Sequence, residues 1–125
     1  MWPDLTLFLC EGRGVHIIIA VGHSGFKIDQ KIAKEVEDID LVVGGHTNTF
    51  LFTGKPPSTE KPVNKYPTIV KQNGGRTVPV VQAYYCTKYL GYLQLQFSDD
   101  GEVIHSAGDP ILLNNSFKQD KNHIE

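Results

Sequence analysis

Residues 15–46 read VHIIIAVGHSGFKIDQKIAKEVEDIDLVVGGH and combine two apolar runs, each followed by Gly-His, with a periodic segment between them. The first run, Val15–Val21, is apolar and β-branched without alternation, which is typical of a strand buried on both faces of a sheet. From Phe26 to Val36 the apolar residues recur at helical spacing. Asp40–Val43 predicts a second strand. This order of strand, helix and strand predicts a βαβ unit and a fold of the α/β class.

The rest of the chain predicts a change of architecture. Phe50–Gly75 is rich in proline and polar residues, and we interpret it as a long surface excursion with one short strand, Thr68–Lys71. Val78–Ala83 and Tyr89–Phe97 then predict further strands, and an Asp-Asp-Gly turn ending at Gly101 predicts a hairpin. We therefore expect a mixed or parallel sheet up to about residue 50 and antiparallel strands after residue 78.

Composition limits the classes of function. The chain has 125 residues, 40% of them hydrophobic and 21% charged, which fits one globular domain. Its 12 basic and 14 acidic residues give a formal net charge of −2, so there is no basic excess to neutralise a nucleic acid. The 12 glycines and 7 prolines exclude an all-helical bundle.

The cysteines and the N-terminal residues give little further information about the class of function. Cys10 and Cys86 do not form a disulfide framework; two separate thiols are the favoured interpretation, and a single bridge stays open. No apolar run is long enough to span a bilayer. The first ten residues carry Asp4 where a signal peptide has basic residues, so we expect no signal peptide and no export of the chain as written.

Two histidines lie where an α/β sheet places ligands. His23 and His46 each follow an apolar strand beside glycine, and ligands of open α/β sheets gather at the carboxyl ends of strands. If the two strands are neighbours, these histidines and Asn48 converge on one crevice. Imidazole and carboxamide oxygen suit Zn, Mn and Fe. The alternative, hydrogen-bonded loop histidines without a ligand, stays open.

The other candidates have simpler interpretations. His16 lies inside the first predicted strand and is interpreted as a core or sheet histidine, while His105 and His123 receive no role. Asn114 begins an Asn-Asn-Ser glycosylation sequon, which matters only in an exported protein. A half-buried β surface is a better interpretation than a stacking platform for the four tyrosines Tyr84, Tyr85, Tyr89 and Tyr92.

Six stretches resemble the ecto-5′-nucleotidase family, above all the animal enzymes including those of venoms. They are GHSGF (22–26), VVGGHTNTF (42–50), LFTGKPP (51–57), VPVVQAY (78–84), KYLGYL (88–93) and PILLN (110–114). The resemblance runs from about Val15 to Phe117 and implies three segments. Residues 1–14 are an unrelated leader, residues 15–117 the C-terminal half of the metal-binding domain, and residues 118–125 a polar tail.

The resemblance implies a fold, an activity and a set of ligands. Family members are two-metal phosphoesterases with a calcineurin-like αββα sandwich and a separate substrate-binding domain. They hydrolyse nucleoside 5′-monophosphates such as AMP to nucleoside and phosphate. By resemblance, His23 and His46 bind the second metal and Asn48 lies at the first, with zinc as the expected ion. The family also implies an extracellular or cell-surface location, with Asn114 as a glycan site, and often a homodimer.

Several family motifs are missing from this sequence. It has no Asp-x-His pair and no Asn-His-Glu motif, so no catalytic residue is assigned, and Asn122-His123 is followed by Ile124. Cys86 stands where the animal enzymes usually have an aromatic residue. The resemblance therefore implies a fragment that is inactive by itself and carries no membrane anchor. The alternative is a non-catalytic truncated or pseudogene-type product that at most binds a metal or a full-length partner.

Overall fold

The computed structural model describes residues 14–120, and within this range the chain forms one helix and eight strands. The predicted leader, except residue 14, and most of the predicted tail lie outside it, so those segment boundaries stay predictions. The elements are β1 Ile19–Val21, α1 Phe26–Glu35, β2 Leu41–Val43, β3 Thr68–Lys71, β4 Thr77–Val81, β5 Tyr89–Leu90, β6 Gln94–Phe97, β7 Val103–Ala107 and β8 Ile111–Leu112.

The central element is a four-stranded sheet with the strand order β1-β2-β4-β3. β1 pairs with β2 in parallel, with Ile19 opposite Leu41, and β2 pairs with β4 in parallel, with Val42 opposite Val80. β3 is antiparallel to β4. The predicted βαβ unit is confirmed, and the carboxyl ends of β1, β2 and β4 lie along one edge, which we call the carboxyl edge.

The helix α1 packs on one face of this sheet. It begins after Gly25, whose φ of 94° is left-handed, and it ends where Val36 turns to an extended conformation. Ala33 is fully buried in a core formed with Ile39, Val42, Val78 and Val80. Across the described range, no helix has the length and apolar character needed to cross a membrane.

The prediction that the first strand is buried on both faces is wrong. Among residues 14–120, β1 is an edge strand that pairs only with β2, and α1 covers only one of its faces. Ile18 and Ala20 pack toward the helix, whereas Ile19 is 49% and Val21 78% exposed. The uncovered face lines an apolar groove of about 530 Å³ together with residues of β2, β4 and the segment after β5.

The interpretation of His16 as a core or sheet histidine is wrong for a related reason. The chain enters β1 only at Ile19, so His16 lies before the sheet and is exposed. Its backbone lies against Gly101 in the turn between β6 and β7, where an added Cβ would come within 2.2 Å of the His16 carbonyl oxygen. Gly101 has a φ of 88°, which supports the hairpin predicted there.

The expected change to antiparallel strands after residue 78 is only partly correct. The hairpin β6–β7 and the pair β5–β8 are antiparallel, but β4 runs parallel to β2. The excursion after β2 returns the chain to the side of the sheet at which β2 begins. β4 therefore runs in the same direction as β2. The predicted strand Tyr89–Phe97 is divided into β5 and β6 with Gly91 between them.

The excursion itself is anchored to the central sheet and to the region of β5. Leu51 and Tyr66 are buried in a second apolar cluster with Leu41 and Val81. The Glu60 carboxylate accepts hydrogen bonds from the Lys88 ammonium and from Tyr89 Oη, the latter at 2.8 Å. The bond from Lys88 has the largest effect, and together these bonds lower the pKa of Glu60 to about 2. Burial, followed by the bond to Glu60, raises the pKa of Tyr89 to about 12.

A buried carboxylate lies at the opposite side of the sheet from the carboxyl edge. Asp40, directly before β2, accepts hydrogen bonds from the Ile18 backbone N–H at 2.7 Å and from Arg76 Nη2 at 2.8 Å. Arg76 also bonds Glu102 at 2.7 Å. Burial raises the pKa of Asp40, against the opposing effects of Ile18 and Arg76. This group connects the approach to β1 with the start of β2 and the hairpin β6–β7.

Candidate metal centre

The parallel pairing of β1 and β2 brings two imidazoles together at the carboxyl edge. His23 lies two residues beyond β1 and His46 three residues beyond β2, and both side chains are exposed. Their ring centroids are 5.1 Å apart, with an angle of 70° between the ring planes. The predicted convergence of these two histidines is therefore observed.

The loops that carry the histidines have special backbone geometry. His46 and Asn48 have φ values of 72° and 51°, which are uncommon for residues other than glycine and concentrate at functional sites. Gly45 lets the two loops approach, because a Cβ there would be 3.0 Å from Nδ1 of His23. Asn48 is exposed in the same loop as His46, and its role as a ligand stays a prediction.

Beneath the histidines, a buried side-chain pair connects the loops. Gln82 directly follows β4, and its Nε2 donates to Asp29 Oδ2 at 2.7 Å and to the Gly45 carbonyl at 2.9 Å. Its Oε1 accepts from the Thr49 backbone N–H at 3.0 Å. The other carboxylate oxygen of Asp29 accepts from Ser24 Oγ at 2.6 Å. Asp29 and Gln82 are 1% and 2% exposed.

Thr47 adds a third connection between the loops and the helix. Its Oγ1 accepts a hydrogen bond from the Phe26 backbone N–H at 3.0 Å, in the first turn of α1. The same oxygen shares a hydrogen bond of 2.8 Å with Thr49 Oγ1. The loop 44–49 is therefore fixed from below by Gln82 and from the side by the helix.

Asp29 and Gln82 were not predicted as site residues, although the sequence carries a signal for each. Asp29 lies on the same helical face as Ala33 and Val36, four and seven residues on, so that a carboxylate interrupts an apolar stripe. Gln82 directly follows the apolar strand β4, just as the histidines lie shortly after β1 and β2. The strand-end argument could have found it, had β4 been recognised as parallel to β2.

The donors fit part of a divalent-metal site. Neutral imidazole is a good ligand for zinc and related ions, and the two exposed rings lie close together in an edge-to-face arrangement. Within residues 14–120, however, no group of three or more His, Cys, Asp or Glu side chains is placed to hold an ion. The described part of the chain thus offers two imidazoles, with Asn48 as a predicted third donor.

The other predicted candidates lie elsewhere. His105 is exposed on β7, and His123 lies outside the described residues. Cys86 is a free, exposed thiol. The Asn114 side chain is exposed, and its Oδ1 accepts hydrogen bonds from the Ser116 N–H at 2.9 Å and the Ser116 hydroxyl at 2.6 Å.

Three of the four tyrosines, Tyr84, Tyr85 and Tyr89, form an aromatic cluster with Phe50. Tyr89 is buried in β5, with its ring centroid 4.8 Å from that of Phe50. Tyr84 and Tyr85 follow β4 in a turn, and Tyr84 has a φ of 67°. Tyr92 is 45% exposed between β5 and β6. Tyr89 alone lies in a strand, and it is buried rather than half-buried, so the interpretation as a half-buried β surface is wrong.

The sequence matches curated 5′-nucleotidases over most of the chain. A snake venom 5′-nucleotidase of Macrovipera lebetinus is 59% identical over 108 residues, which cover 86% of this chain and 26% of that protein. The 5′-nucleotidases of Rattus norvegicus and Homo sapiens are each 59% identical over 106 residues, 85% of this chain and 18% of theirs. This chain therefore spans about a fifth to a quarter of the length of these relatives. No protein-family model matches it.

Solved structures of nucleotidases are also similar to this chain. A 5′-nucleotidase precursor from Thermus thermophilus superposes with a TM-score of 0.82 at 32% identity, covering 88% of this chain and 22% of that one. The NAD nucleotidase of Haemophilus influenzae superposes with a TM-score of 0.79 at 25% identity, covering 88% of this chain and 20% of that one.

The fold and the comparisons together show which proteins this chain resembles. The chain is an α/β protein that corresponds to part of a calcineurin-like sandwich, as the resemblance implied. The resemblance to the 5′-nucleotidase family is confirmed: this chain is a relative of the 5′-nucleotidases along one segment of their length.

The packing of Asp29 against the loop 44–49 gives a testable prediction. A Cβ at Gly44 would lie 1.9 Å from Asp29 Oδ2, whereas a Cβ at Gly22 would meet no atom within 4 Å. We expect Gly44→Ala to lower the free energy of unfolding by about 1–3 kcal/mol, as overpacking does. Gly22→Ala, the matched control, should change it by less than about 0.5 kcal/mol. Urea unfolding of the two variants measures this, and equal stability would contradict the packing described here.

Proposed function

We propose that this chain is the metal-binding segment of a 5′-nucleotidase-type phosphomonoester hydrolase. In this proposal His23 and His46 bind one divalent ion, expected to be zinc, and Asn48 contributes an oxygen ligand at the neighbouring position. The observation that carries the proposal is the imidazole pair, 5.1 Å between centroids, at the edge where two parallel strands end. The names of the relatives support the reaction class.

The residue types suit this chemistry. When bound, divalent ions in such sites acidify a water molecule and stabilise charge on the phosphoryl oxygens. Neutral imidazoles hold an ion without cancelling its charge, and a carboxamide oxygen adds a ligand at no cost in charge. Both histidines are exposed on their loops, so a phosphate ester can approach from solvent. The buried contacts of Gln82 keep the loop of His46 in place.

The substrate and the location are carried over from the relatives as part of this proposal. A nucleoside 5′-monophosphate such as AMP is the substrate of the complete enzyme, which acts outside the cell or at its surface. Support for the location comes from the venom origin in the name of one relative. An exposed Asn114 in a sequon is compatible with a glycan on an exported protein. A homodimer stays a prediction from the family.

Zinc titration by calorimetry tests the metal site. We expect one weak site per chain, which is lost in both His23→Ala and His46→Ala, because each substitution removes one of two adjacent imidazoles. Binding should weaken in acidic buffer, since protonated imidazole cannot bind a metal. His105→Ala removes an exposed histidine on β7 and is the matched control, which should bind zinc as the wild type does. Binding unaffected by both His23→Ala and His46→Ala would place the site elsewhere.

A phosphate-release assay with AMP tests the extent of the activity. We expect no hydrolysis by the 125-residue chain with zinc present, because residues 14–120 bring no carboxylate together with the histidine pair to complete a site. A full-length 5′-nucleotidase serves as the positive control. Zinc-dependent phosphate release by this chain that disappears in His46→Ala would show instead that the chain is catalytically complete.

A further inference from the structure

We propose that Asp29 is a positioning residue, which acts through Gln82 and Ser24 to fix the separation and orientation of His23 and His46. This proposal rests on the proposed function, since it concerns the geometry with which the two imidazoles share an ion. Asp29 does not itself bind the metal. It organises the two loops from the buried side of the carboxyl edge.

The first argument is that both oxygens of the buried Asp29 carboxylate accept hydrogen bonds. Asp29 is 1% exposed although it lies in the first turn of an otherwise amphipathic helix. Burial of a carboxylate is costly unless each oxygen has a partner. Its two oxygens accept from Ser24 Oγ and Gln82 Nε2 at 2.6 and 2.7 Å. Ser24 lies in the loop of His23 and Gln82 contacts the loop of His46. Neither partner therefore connects Asp29 to the apolar core.

The second argument is that Asp29 determines how Gln82 is oriented. An ionised carboxylate can only accept hydrogen bonds, so it selects the amide nitrogen of Gln82 as its partner. The same nitrogen donates to the Gly45 carbonyl at 2.9 Å, next to His46. The amide oxygen is left to accept from the Thr49 N–H at 3.0 Å. One carboxylate thus fixes both ends of the loop that carries His46.

The third argument is the close contact between Asp29 and the loop backbone. Gly44 approaches the carboxylate so closely that a Cβ there would be 1.9 Å from Oδ2 and 2.5 Å from Cγ. On the other side, Ser24 is the residue next to His23. A shift of Asp29 would therefore move both loops, and with them both imidazoles.

A set of near-isosteric variants tests this in the full 125-residue chain. Gln82→Glu cannot donate to Asp29 or Gly45 while it is ionised, but it keeps an oxygen for the Thr49 N–H. The double variant Asp29→Asn/Gln82→Glu exchanges amide and carboxylate and restores a hydrogen bond between the two positions. Asp40→Asn is the matched control, because it removes the charge of a buried carboxylate at the opposite edge of the sheet. Ser24→Ala is a milder variant that removes only one hydrogen bond.

Zinc affinity is the first measurement. We expect Gln82→Glu to bind zinc 10–100-fold more weakly, as is usual when a group that orients metal ligands is lost. The double variant should recover part of that loss, because it restores the hydrogen bond between positions 29 and 82 but not the one to the Gly45 carbonyl. Asp40→Asn should lower the urea midpoint but leave zinc affinity within about twofold of the wild type. If Asp40→Asn weakens zinc binding as much as Gln82→Glu does, the effect is one of general stability and the proposal is wrong.

Imidazole NMR spectra of the metal-free chain are the second measurement, and they separate this proposal from the proposed function. Gln82→Glu should shift the ring resonances of both histidines and weaken the cross-relaxation between their rings, and Ser24→Ala should mainly shift those of His23. Asp40→Asn should change neither. These results would support the positioning role even if the wild type bound no zinc, which would overturn only the proposed function. Histidine spectra that are the same in wild type and Gln82→Glu would overturn the positioning role.

Discussion

The parallel register of β1, β2 and β4 is the constraint on which the candidate site depends. Parallel strands end at the same edge of a sheet, so the residues that follow each strand meet there whatever their separation in sequence. His23, His46 and Gln82 follow the three strands in turn. The first two face solvent as an imidazole pair, and the third is buried beneath them. One edge of one sheet thus supplies both the donors and their support.

Two buried carboxylates stabilise opposite ends of this arrangement, and they do so differently. Asp40 pairs with the charged Arg76, and burial still raises its pKa. Within the described residues, Asp29 accepts hydrogen bonds from a hydroxyl and from an amide, which are both neutral. A carboxylate held by neutral dipoles can fix the direction of each hydrogen bond without a competing cation beside the histidines. That difference makes Asp40 a useful comparison for Asp29.

The βαβ unit and the meeting of the two histidines could be predicted from the sequence, because both follow from local signals. The helix is indicated by the periodicity of residues 26–36. The meeting of the histidines is indicated by the Gly-His pairs that follow two apolar runs. The direction of β4 could not be predicted, since it depends on how the excursion before it returns to the sheet. The exposure of β1 was missed because an apolar run does not show how many neighbours the strand has. Asp29 was missed because a carboxylate on a helix is solvated in most proteins.

The central claim is that His23 and His46 bind the same ion, and X-ray absorption at the zinc edge tests it most directly. On the chain loaded with one equivalent of zinc, we expect two imidazole nitrogens at about 2.0–2.1 Å with oxygen donors completing the shell. In His46→Ala the spectrum should retain at most one imidazole. A wild-type spectrum with no imidazole pair, or with a thiolate sulfur at about 2.3 Å, would contradict the account.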